Sequence, residues 1–87
     1  MIEYKINEKG HRLLEEAYDR LNSNTERKDD NALSVLLEAT EVIGGGSKLT
    51  PALLSWGTKR SSGAPYSVAR QGINKLISLG GAEIVKG

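Results

Sequence analysis

The sequence predicts a mainly helical α+β domain in the order β-α-α-α-α-β, with a short two-stranded sheet made from its two ends. Three observations predict it. Ile2, Tyr4 and Ile6 alternate with charged residues near the start, and a β-prone run, Ala82 to Lys86, closes the chain. Between them, apolar residues recur three and four positions apart, the spacing of one helix face. Gly, Pro and short polar residues punctuate these stretches where helices start and stop. With 87 residues the chain is one domain, 1–87, with room for a single small core.

Residues 2–6 read as a strand with one face buried. Asn7 then stands where an N-cap belongs, and Leu13, Leu14, Ala17, Tyr18 and Leu21 give a helix over 8–22, with Glu8 at its positive end. Gly10 costs this helix something in its first turn. Residues 22–30 (NSNTERKDD from Asn22) hold almost nothing apolar and read as an exposed loop. A second helix begins at Asp30 or Asn31, either of which can cap it. Leu33, Val35, Leu36, Leu37, Ala39, Val42 and Ile43 make it apolar on most sides, as befits a central helix. Gly44, Gly45 and Gly46 end it. Thr50-Pro51 is an N-cap followed by proline at the first helical position, opening a short helix that stops near Gly57. Thr58 to Ala64 is a polar, basic loop, and a last helix over 65–79 buries Val68, Ala69, Ile73, Leu76 and Ile77 until Gly80 and Gly81 break it. Residues 82–86 are the final strand. Trp56 and the three tyrosines are the only large rings, and Trp56 reads as core, with stacking on a nucleobase as the alternative.

Composition narrows the chemistry. There is no cysteine, hence no disulfide framework, thiolate zinc site or thiol nucleophile. The apolar runs are short and the N-terminus lacks a signal-peptide layout, so a cytoplasmic protein with no membrane span is expected. His11 is the one histidine, between Glu8 and Glu15 on a helix surface, which reads as a solvated charge cluster rather than a metal site or part of a triad. GGGSKLT fails the spacing of a phosphate loop and follows a helix rather than a strand, so it reads as a connector. No enzyme activity, metal or cofactor is expected.

Charge is sorted along the chain. Residues 1–43 hold six Lys/Arg against ten Asp/Glu (net −4), whereas 44–87 hold six against one (net +5). A one-signed basic surface attracts polyanions. On the last helix, Ser67, Arg70, Gln71, Asn74, Lys75 and Ser78 share the face opposite the apolar stripe, with no acid among them. Arg can fork onto guanine O6 and N7, and Gln or Asn onto adenine N6 and N7, while Lys and Ser suit phosphates. The same residue types also suit any solvated helix face.

The segment SVARQGINKLISLGGAEIV resembles the end of a winged-helix domain, where a recognition helix closes with a Leu-x-x-x-Gly-like turn, here Leu76 and Gly80, and enters a wing strand. The start, YKINEKGHRLLEEA, resembles the junction from wing strand to last helix in winged-helix regulators. Together they imply a winged-helix-like domain in apparently permuted order, with strand 2–6 beside strand 82–86 and helix 8–22 packing behind. The resemblance implies that Arg70, Gln71 and Asn74 read bases and that Ser67, Lys75, Lys59 and Arg60 hold phosphates. Lys48, before the helix that opens at Thr50, adds a backbone contact.

The expected function is therefore a small, non-enzymatic DNA-binding protein, a transcription regulator using helix 65–79 as recognition helix. Its expected partner is double-stranded DNA, with RNA left open and a homodimer suited to paired half-sites. The alternative is a protein-interaction module or inhibitor whose basic C-terminal half docks on an acidic partner.

Overall fold

The computed structural model describes residues 1–45 and 48–87. Among the described residues the order is β1 (Glu3–Ile6), α1 (Glu8–Asn22), α2 (Asp30–Ile43), α3 (Pro51–Arg60), α4 (Tyr66–Ser78) and β2 (Ala82–Lys86). The expected α+β class and element order hold, and the sheet is the expected antiparallel pair of the two terminal strands. Lys5 faces Glu83 and Glu3 faces Lys86, so opposite charges sit across the ladder. The register slips between Glu3 and Tyr4, which leaves Val85 without a partner opposite. On its other side β1 is also bonded, since Tyr4 N–H donates to the Leu49 carbonyl at 2.7 Å. Tyr4 is buried and Ile6 half-buried as the alternation predicts, but Ile2 lies outside the strand and is exposed.

The central helix is α2, which packs on α1, α3 and α4. Its Leu33 and Leu36 meet Leu14 and Ala17 of α1, Leu54 of α3 and Ile73 and Leu76 of α4 in one cluster. Two glycines set how closely the neighbours approach. A Cβ on Gly57 would lie 2.9 Å from the Ala39 carbonyl oxygen, and one on Gly72 would lie 2.6 Å from that of Ala32. Gly57 therefore does not end α3, as its flexibility predicts; it serves the crossing with α2, and the helix runs on to Arg60. Lys59 and Arg60 accordingly stand on a helical turn rather than in a loop, and the connection to α4 shrinks to residues 61–65.

The cap of α2 also departs from expectation. Asp29, in the left-handed region at φ 74°, is the N-cap residue and makes no side-chain cap bond. Asp30 cannot cap because its carboxylate, buried in the fold, is engaged elsewhere: it accepts from Arg20 Nε at 2.8 Å, Arg20 Nη2 at 2.9 Å and Arg27 N–H at 2.8 Å. Of the glycines expected to end α2, Gly44 is the C-cap residue at φ 91° and Gly45 follows in a turn. Gly46, like Ser47, lies outside the described residues. The last helix closes one residue inside the expected limits, with Gly80 at φ 77° and bonds from Gly81 N–H to Leu76 O and from Gly80 N–H to Ile77 O. That pair of bonds is the Schellman pattern.

Asn7 fastens the two ends together. Its Oδ1 accepts from Gly10 N–H at 2.9 Å as an N-cap, its Nδ2 donates to Gly80 O at 2.9 Å, and its own N–H donates to Gly81 O at 3.0 Å. Gly10 is needed beside it, because a Cβ there would fall on the Gly81 carbonyl. Asn7→Ala is expected to lose about 1–2 kcal/mol. Asn7→Asp keeps only the cap acceptor and should fall between wild type and Asn7→Ala. A lower urea midpoint at constant slope would show this, and equal midpoints for Asp and Ala variants would mean that the bond to Gly80 contributes nothing.

Candidate nucleic-acid interface

The geometry of α4 follows from its buried stripe. Ala69, Gly72, Ile73 and Leu76 face α2 and the core, with Val68 and Ile77 half-buried at the margins. A period of 3.6 then turns Ser67, Arg70, Gln71, Asn74 and Ser78 outward, and all five are exposed. Arg70 lies near the half-buried ring of Tyr66, one turn earlier. Burial pushes the Tyr66 hydroxyl up from its ordinary value, Tyr4 adds to this, and the Arg70 charge works against both.

The face is less free of acid than the linear sequence suggests. The fold brings Asp29 alongside, 3.7 Å from Lys75 Nζ, and Lys75 is only partly exposed. Ser78 Oγ is spent on its own helix, donating to Lys75 O at 2.7 Å. Neither the Asp29 contact nor its φ is visible from residue spacing, because 46 positions separate it from Lys75.

Lys59 and Arg60 close α3 and are exposed. The Arg60 guanidinium lies over the Trp56 ring, 4.9 Å from its centroid. Trp56 is thus not core, being 44% exposed. With Leu54 and Gly57 turned towards α2, Trp56 falls on the opposite side of the helix wheel and faces outward. The i, i+4 spacing of Trp56 and Arg60 is the one signal in the sequence that could reveal the stack. Residues 61–65 carry the chain from Arg60 to Ser67 in the first turn of α4. That turn has no acid and no side-chain cap, so the positive end of the helix is left uncovered there.

Lys48 is set apart from this group. It precedes Leu49, which bonds to β1, and its Nζ stands 4.0 Å from a Glu3 carboxylate oxygen. Thr50 caps α3 as expected, its Oγ1 accepting from Leu53 N–H at 3.2 Å. Among the described residues no helix is long and apolar enough to cross a membrane. Comparisons with protein families, with curated proteins and with solved structures find nothing that matches this chain.

Proposed function

We propose that the chain is a small cytoplasmic DNA-binding protein, a winged-helix-like transcription regulator without catalysis, in which α4 enters the major groove. The observation that carries this reading is the outward face of α4, where Arg70, Gln71 and Asn74 stand exposed together on a helix held rigidly by its opposite side. These three side chains read base edges, and Ser67, Lys59 and Arg60, near the uncapped start of α4, take phosphates. Lys75 and Lys48 reach phosphates by giving up long contacts of 3.7 and 4.0 Å to the half-buried Asp29 and Glu3. The pairing of β1 with β2 and the return of α1 onto α2 also support the permuted winged-helix reading. A homodimer would place two copies of α4 on two half-sites, and a sedimentation profile that stays monomeric on the operator would argue against it.

The test is a titration of fluorescent random duplex at low and then physiological salt. Affinity should fall steeply as salt rises. Arg70→Ala or Asn74→Ala should cost about 1–3 kcal/mol on a selected site and relax one base position. Lys59→Ala and Arg60→Ala should weaken every sequence alike and shallow the salt slope by about one each. Absence of binding at low salt overturns the proposal. A second reading, in which the basic half docks on an acidic protein, draws on exposed Trp56 and Arg60, residue types enriched in protein interfaces.

A further inference from the structure

Between α1, α2 and the two terminal strands lies a trough that the nucleic-acid reading touches only at Lys48. Its wider part encloses about 620 Å³. Tyr4, Ile6, Leu37, Leu49 and Val85 give it an apolar floor. A narrower extension of about 290 Å³ runs between α1 and α2, and Glu15, Leu37 and Glu41 belong to both parts. Exposed apolar surface continues along it, since Val85 is 51% and Tyr18 40% exposed. Volumes of this size suit a bound segment or small molecule.

The walls of the extension are acidic. Glu15 and Asp19 rise from α1 and Glu38 and Glu41 from α2, on either side of Tyr18 and Leu37. Among the described residues none of the four is ion-paired, the paired carboxylates being Glu3, Asp29 and Asp30. Like charges facing one another across a groove repel, and a cation laid between them relieves that cost. At the wider end the charges are mixed, with Lys5 and Lys48 beside Glu3. The trough thus has a polarity: an apolar seat at the sheet end and a carboxylate-walled channel at the helix end.

We propose that this trough docks a basic, amphipathic segment of a partner protein, its apolar side chains seated on Leu37, Ile6 and Val85 and its Lys or Arg side chains between the walls of α1 and α2. Nucleic acid is repelled by the same walls. A second copy could offer its basic half only through a head-to-tail contact, which builds rings or open chains rather than a two-fold dimer. Bound here, a partner leaves α4 free.

The probe is a synthetic leucine–lysine peptide of helical spacing, titrated into the isotope-labelled 87-residue chain at low salt. Amide shifts should concentrate in β1, α1 and α2. Glu15→Lys with Glu41→Lys should weaken binding at least about tenfold, whereas Glu8→Lys with Glu26→Lys, the same charge change on exposed residues outside the trough, should change it less than about twofold. Replacing the leucines by serine should abolish the localised shifts. Equal weakening by the two double variants, or equal binding of the serine peptide, would reduce the effect to bulk charge and overturn the proposal. A mass that grows with protein concentration and reverts in the Glu15→Lys, Glu41→Lys variant would overturn it in favour of a second copy.

Discussion

Arg20→Met is expected to cost about 3–5 kcal/mol, more than Asp30→Ala, although both substitutions delete the same ion pair. The asymmetry comes from what each leaves behind. Arg20 keeps 25% of its side chain exposed while Asp30 keeps 2%, so a bereaved guanidinium can swing into water but a bereaved carboxylate stays trapped. In Arg20→Met the stem still packs, and Asp30 retains only the Arg27 N–H as partner. In Asp30→Ala the loss should be about 2 kcal/mol, nearer that of a charge-assisted hydrogen bond. The double variant should then be less destabilised than the sum of the two, which a cycle of urea midpoints would measure. Equal costs for the two single variants would refute the trapping argument.

The same pair ties stability to acid. Hydrogen bonding from Arg20, against an opposing burial effect and with help from the Arg27 N–H, holds the Asp30 carboxyl below its ordinary value. A folded-state value below the unfolded one means that the unfolded chain binds the proton more readily. The stabilisation is therefore complete above about pH 4 and drains away as pH falls through the lower folded value. Arg20→Met loses most of this dependence, because burial, which disfavours the anion, is then opposed only by Arg27. Its deficit relative to wild type should accordingly shrink below about pH 4. A constant deficit from neutral pH down to pH 3 would place the effect outside this pair.

What the sequence discloses and what it hides follow from the range of the signals. The ends of α1 and the turn from α4 into β2 are legible because their determinants are neighbours: Asn7 caps Gly10 three residues on, and Gly80 with Gly81 closes the turn begun at Leu76. The buried stripe of α4 is legible for the same reason, and with it the outward set Ser67, Arg70, Gln71 and Asn74. Arg20 reads as one more charge on a solvated helix, since nothing local says that residue 20 meets residue 30 across a loop. Asp30 is mistaken for a cap because its residue type serves both roles. Trp56 is misplaced by its hydrophobicity, which a helix wheel centred on Leu54 and Gly57 would have outweighed. Lys75 looks unopposed until the fold brings Asp29 beside it.

Glycine inside a helix reads as a weakness, and Gly72 shows why that reading fails at a crossing. Judged by propensity alone, Gly72→Ala should stabilise α4 by up to about 1 kcal/mol. A Cβ there would meet the Ala32 carbonyl oxygen at 2.6 Å, the Ala32 carbonyl carbon at 3.1 Å and Leu36 Cβ at 3.1 Å. The obstacle is backbone of α2, which α1 and α3 hold from other sides, so α4 itself has to back away. Backing away loosens Ile73 and Leu76, both fully buried, and an overpacking cost of about 3 kcal/mol outweighs the propensity gain, for a net loss of about 2 kcal/mol. Gly45→Ala is the control, since among the described residues nothing lies within 4 Å of its Cβ position and it should be close to neutral. On the recognition reading Gly72→Ala carries a second effect: a displaced α4 moves Arg70, Gln71 and Asn74 together. Affinity for a selected site should therefore fall at temperatures where the variant is still fully folded, with a smaller change on random duplex. A variant as stable as wild type would show that α2 and α4 can part without cost, and one that is destabilised but reads its site unchanged would separate the crossing from the function.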